Sequence, residues 1–98
     1  MDLRPPEACT SMAELRKEID ALDESLVKML ALRSTYIDRA IELKPDEGIP
    51  ARANDRVEEV VRRVRAAADR NGLDPALVET LWRDLIEWSI AREQEKIS

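Results

Sequence analysis

The sequence predicts an all-helical chain of three helices, and three observations carry that prediction. Apolar residues recur at steps of three and four through most of its 98 residues, with no strand-like alternation. Helix start and stop signals divide those stripes into three runs. The composition agrees, since 38% of residues are charged and only two are glycine, as in helices laced with surface ion pairs. One domain over residues 1–98 is the expectation for this length.

Residues 1–10 contain Pro5 and Pro6 and read as an extended lead-in. Ser11-Met12-Ala13-Glu14 has the form of a capping box and opens the first helix, expected over 11–44. Its stripe runs Leu15, Ile19, Leu22, Leu26, Leu30, Ile37, Ala40, Ile41, and Pro45 is expected to stop it. Pro45 to Ala53, with Gly48 and Pro50, reads as a loop. The second helix is expected over 54–71, with Val57, Val60, Val61, Val64, Ala67 and Ala68 on one face and Asn71-Gly72 as a left-handed stop. Asp74-Pro75 then caps the third, expected over 75–97, which carries Val78, Leu81, Trp82, Leu85, Ile86, Ile90 and Ile97.

Charge and residue types exclude several functions. A formal charge of −5 argues against a nucleic-acid partner, so any anion site has to be a local basic cluster. With no His and one Cys, a zinc site or a His-based triad is ruled out, and neither metal nor cofactor is expected. Cys9 lies in a polar stretch, reads as incidental, and suits a reducing compartment. No apolar run suffices for a signal peptide or a membrane span, so a cytoplasmic protein with no membrane partner is expected.

The first helix is too long for one such chain to cover. Its residues make a rod near 50 Å long, whereas a domain of this size has a radius of gyration near 13 Å. The apolar stripe nevertheless runs along nearly all of it. A partner has to cover the remainder, and a second copy of the chain is the expected one.

Charged residues interrupt these stripes. Arg33 falls between Leu30 and Ile37, and Lys44 just beyond Ala40 and Ile41. Eleven residues apart, they share a helix face at roughly 16 Å and can lean toward one anionic ligand. Arg16 lies beside Ile19, roughly 25 Å before Arg33, too far for one site within a subunit but within reach of a partner's site in an antiparallel dimer. Glu93 has Ile86, Ile90 and Ile97 at helical spacing, a setting that disfavours ionisation, so it is expected to hold a proton near neutrality. Each also has a plain reading: Arg16 and Arg33 snorkel to solvent, Lys44 complements the helix dipole, and Glu93 pairs with Arg92 or Lys96. Arg52, Arg62, Arg63, Arg65, Arg70 and Arg83 read as solvated. On spacing alone, the chain is a helical dimer with an internal anion pocket of open specificity.

The motifs Leu15-Arg16-Lys17-Glu18-Ile19-Asp20-Ala21-Leu22-Asp23, Leu32-Arg33, Leu43-Lys44, Arg56 and Leu85-Ile86-Glu87-Trp88-Ser89-Ile90 resemble the all-helical chorismate mutase family, the AroQ type. Pro6-Glu7-Ala8-Cys9-Thr10, Asn71-Gly72-Leu73-Asp74 and Glu87-Trp88 are most similar to the branch containing isochorismate-pyruvate lyases. The resemblance implies an intertwined homodimer of three-helix chains with two shared sites. It implies that Arg16 of the partner and Arg33 bind the carboxylates of a small dicarboxylate substrate, and that Lys44 binds a carboxylate and the breaking ether oxygen. Arg56 and Ser89 are further substrate-binding positions, and Glu93, four residues after Ser89, takes the place of the donor to the ether oxygen.

That chemistry suits these residue types. Rearrangement of chorismate to prephenate, in aromatic amino acid biosynthesis, is unimolecular and needs no nucleophile, metal or cofactor. The enzyme holds the enolpyruvyl arm over the ring and stabilises charge growing on the ether oxygen. The chain departs from the family pattern twice. Most members have glutamine where Glu93 stands, and a glutamate donates only when protonated. Members often carry an acid toward the ring hydroxyl where this chain has Ala53 and Val57, which weakens the case for chorismate and favours isochorismate. Chorismate mutase is the expectation. The alternatives are isochorismate-pyruvate lyase giving salicylate and pyruvate, a mutase of an amino-substituted chorismate, and a non-catalytic helical dimerisation or ligand-sensing module.

Overall fold

The computed structural model describes residues 2–97, without the side chain of Ile97. Among the described residues a 3-10 turn, Pro6–Ala8, precedes three α-helices: α1 over Met12–Glu47, α2 over Asn54–Arg70 and α3 over Pro75–Ile97. They include no strand, and no helix long and apolar enough to cross a membrane. The chain forms two units, Met1–Thr35 and Tyr36–Ser98.

In the first unit, the helix start is built from the expected residues with one shift of register. Ser11 Oγ accepts the Glu14 N–H at 3.2 Å, but the Glu14 carboxylate returns to Thr10, accepting from its N–H at 2.7 Å and its hydroxyl at 3.0 Å. Arg4 closes on the same carboxylate at 3.0 Å. The bond to the Thr10 N–H, foremost, holds the Glu14 carboxyl below its usual range. The lead-in is thereby tied to the helix, and it contains the 3-10 turn in place of a fully extended chain. The apolar stripe remains uncovered: Leu22, Leu26 and Leu30 are 43%, 61% and 41% exposed, and no residue of α1 is buried.

The end of α1 corrects the expected boundary. Pro45 lies inside the helix, which continues to Glu47. The stop is Gly48, at φ +68°, where the Gly48 N–H bonds to the Pro45 carbonyl at 3.2 Å and the Ile49 N–H to the Lys44 carbonyl at 2.9 Å. A residue before proline disfavours helical geometry without forbidding it. Here the left-handed glycine closure satisfies two terminal carbonyls, and that outweighs the preference. Lys44 therefore sits within the last turn and not at the terminus. Gly72, at φ +70°, closes α2 in the same way, with Leu73 N–H to the Ala68 carbonyl at 2.8 Å. Asp74 Oδ1 caps α3 through the Ala76 N–H at 2.9 Å.

The second unit packs α2 on α3. Val61, Ile86 and Ile90 form the buried cluster, and Val57 and Val60 lie against it. The predicted α2 stripe is the buried face throughout, since Val64 and Ala67 are half-buried and Ala68 buried. On α3, Val78, Ile86 and Ile90 are buried as the stripe requires, but Leu81 is half exposed and shares an outward apolar face with Leu77 and Trp88.

Ion pairs lace the rim of this packing. Arg65 meets Glu79 at 2.6 Å, while Arg83 meets Glu79 at 2.7 Å and Glu58 at 3.2 Å. Arg83, then Arg65, holds the Glu79 carboxyl below its usual 4.5. A depressed carboxylate stabilises the fold fully above its unfolded value, and that contribution is lost as pH falls through its folded value. The melting temperature is expected to fall between pH 6 and pH 3, and to fall less in Arg83→Ala. Equal falls in thermal melts of the two proteins would remove this pair from acid stability.

Candidate active site

The second unit joins α1 to α3 by two ion pairs of opposite polarity. Asp38 of α1 accepts from Arg92 of α3, with Nε at 2.6 Å and Nη2 at 3.3 Å from its two oxygens. Arg92 holds the Asp38 carboxyl below its usual range, and its guanidinium also lies over the Trp88 ring at 5.6 Å. Six residues further along α1, Lys44 reaches the residue next to Arg92. Its Nζ lies 3.0 Å from Glu93 Oε1 and 3.2 Å from Oε2.

The second pair differs from the first in burial. The Glu93 side chain is 4% exposed and that of Lys44 21%, whereas those of Asp38 and Arg92 are 46% and 41% exposed. Lys44 makes one further bond, donating to the Ala51 carbonyl at 2.9 Å. Its three N–H groups thus have three acceptors in reach. The arrangement is a nearly dry ammonium–carboxylate pair held between the end of α1, the following loop and α3. An arriving anion is drawn to the ammonium and has to answer the carboxylate beside it.

The α3 pattern of Glu93 gives no sign of a cation, but Lys44 brings one to within 3.0 Å of its carboxyl group. Neither Arg92 nor Lys96 takes the role that simple pairing in water suggests, because Arg92 is committed to Asp38. Ser89, one turn before Glu93, is also buried and donates to the Leu85 carbonyl at 2.9 Å. Arg56 is exposed on α2 and pairs with Glu59. Val57, in the first turn of α2, and Ala53, the residue just before that helix, are half-buried. In the first unit, Arg16 is exposed, while Arg33 is half-buried and partnered.

Three contributors escaped the sequence reading: the Ala51 carbonyl, the Asp38–Arg92 pair and an Arg52–Glu87 pair. A backbone carbonyl carries no sequence signal. The two pairs span 54 and 35 residues, beyond any helical period.

The family model for chorismate mutase type II matches residues 15–94, a span that contains Arg16, Arg33, Lys44, Arg56, Ser89 and Glu93. The chain is 36% identical over 92 residues to the isochorismate pyruvate lyase of Pseudomonas aeruginosa, covering 93% of this chain and 89% of that protein. It is 27% identical over 84 residues to the chorismate mutase of Methanocaldococcus jannaschii, covering 86% and 85%. It is also 28% identical over 85 residues to the T-protein of Haemophilus influenzae, covering 87% of this chain and 22% of that longer protein. The chain belongs to the chorismate mutase type II family and is an enzyme of that family.

Proposed function

We propose that this protein is a chorismate mutase, converting chorismate to prephenate without covalent catalysis or cofactor. The observation that carries the reading is the nearly dry Lys44–Glu93 pair, an ammonium and a potential proton donor side by side. In the rearrangement one C–O bond breaks and one C–C bond forms within the substrate. Lys44 binds a carboxylate and the ether oxygen, and protonated Glu93 donates to the same oxygen. Arg33, and Arg16 from the second subunit, hold the carboxylates as forks. Arg56 and Ser89 complete the substrate contacts.

The proposed assembly is an intertwined homodimer of single-domain chains, residues 1–98, in the cytoplasm. Support comes from α1, where none of 36 residues is buried, and from the exposed Leu77, Leu81 and Trp88 of α3. A second copy laid along those faces removes apolar surface from water that one chain leaves wet. Sedimentation is expected to give the mass of two chains.

A second reading, isochorismate-pyruvate lyase, is favoured by Val57 and by the name of the Pseudomonas relative. There the ether bond breaks and a ring hydrogen passes to the enolpyruvyl methylene, releasing pyruvate and salicylate. The same cations serve both reactions; the ring hydroxyl decides between them. Purified protein supplied with each substrate separately distinguishes them. Prephenate from chorismate supports the first reading, whereas salicylate with pyruvate from isochorismate alone supports the second. Turnover of neither, without binding of a bicyclic transition-state analogue, defeats both.

A further inference from the structure

Among the exposed arginines, Arg52 has no distinguishing mark in the sequence, but the structure gives it one. Its guanidinium meets the Glu87 carboxylate of α3 as a fork, with Nη1 3.0 Å from Oε1 and Nη2 2.6 Å from Oε2. Two parallel bonds fix direction as well as distance. The pair therefore anchors the loop between α1 and α2 to α3. Immediately before Arg52 comes Ala51, a buried residue whose carbonyl accepts from Lys44 Nζ. Glu87 precedes Glu93 on α3 by six residues, about 9 Å of helix. Two consecutive loop residues are thus held, Arg52 by α3 directly and Ala51 by the lysine that itself reaches α3.

This matters for Lys44 because its other two acceptors are the oxygens of one carboxylate. When a substrate anion displaces one of them, the Ala51 carbonyl is the fixed point that keeps the ammonium aimed. Exposed ion pairs add little to stability, and both Arg52 and Glu87 are well exposed. Direction is what a fork on a loop supplies.

We propose that the Arg52–Glu87 pair is a latch that fixes the Ala51 carbonyl and so positions the Lys44 ammonium on the enolpyruvyl dianion, an inference that rests on the function proposed above. Arg52 and Glu87 are positioning residues, not catalytic ones. In the 98-residue chain, Arg52→Ala is expected to lower kcat at least about five-fold with KM and melting temperature little changed. The charge-swapped Arg52→Glu/Glu87→Arg protein is expected to recover at least about half of wild-type kcat, because it restores the pair. NMR order parameters at residues 51–53 are expected to fall in Arg52→Ala and to recover in the swapped protein. An unchanged kcat in Arg52→Ala, or a swap that restores nothing, overturns the latch. Unchanged order parameters overturn it too, even in a protein that turns over neither substrate. That last inactivity is a separate result and defeats the functional reading instead.

Discussion

Replacing Lys44 by alanine is expected to lower turnover about a thousand-fold, the scale of losing a principal donor to a developing oxyanion. The ammonium stands where the α1 end, the Ala51 carbonyl and Glu93 converge, and its side chain is only 21% exposed. Water cannot replace a fixed cation at such a position without losing orientation. The substitution has a second effect, because it strands the Glu93 carboxylate, 4% exposed, without its cation. Breaking one side of a buried pair costs about 3 kcal/mol or more. Lys44→Ala is therefore expected to melt early, whereas Lys44→Ala/Glu93→Gln carries no orphaned charge and regains much of that stability. The double variant separates folding from chemistry: it should be folded at the assay temperature and still inactive. Turnover within about ten-fold of wild type in that protein would remove Lys44 from the reaction.

Glu93→Gln is expected to keep turnover within about ten-fold of wild type, whereas Glu93→Ala is expected to lose about a hundred-fold. Both oxygens of Glu93 face the Lys44 ammonium, at 3.0 and 3.2 Å, so the side chain stands beside the cation proposed to bind the ether oxygen. Glutamine carries permanent N–H donors in the same shape and can serve that oxygen, which alanine cannot. Equal losses in the two variants would show that Glu93 is not the donor.

The sequence made the charges legible but not their pairing. Lys44 and Glu93 each stand out as a charge on an apolar stripe, which is a local, periodic signal. That they meet one another depends on the end of α1 reaching α3 across 49 residues of sequence, which no period encodes. The same limit hid Asp38–Arg92 and Arg52–Glu87, where exposed charges looked like solvated surface. Helix bounds were legible where one device acts alone, as with Asp74-Pro75 and Asn71-Gly72. They slipped where two compete: Pro45 and Gly48 both signal an end, and the glycine closure prevailed. Leu81 belongs to the α3 stripe by period yet lies half exposed, because α3 is apolar on more than one side. A pattern reports that a face is apolar before it reports what covers it.

The most direct test of a site shared between two chains is complementation. Arg16→Ala and Lys44→Ala are each expected to be nearly inactive, one lacking the arm lent to the partner and the other the ammonium. In a mixed dimer, the Arg16→Ala chain keeps its own Lys44 and Glu93 and receives Arg16 from the Lys44→Ala chain, so one of two sites is whole. Random mixing after denaturation and refolding is expected to restore about a quarter of wild-type turnover, since half of the dimers are mixed. Turnover no greater than the sum of the two parents, with mixed dimers shown to have formed, would contradict the shared site.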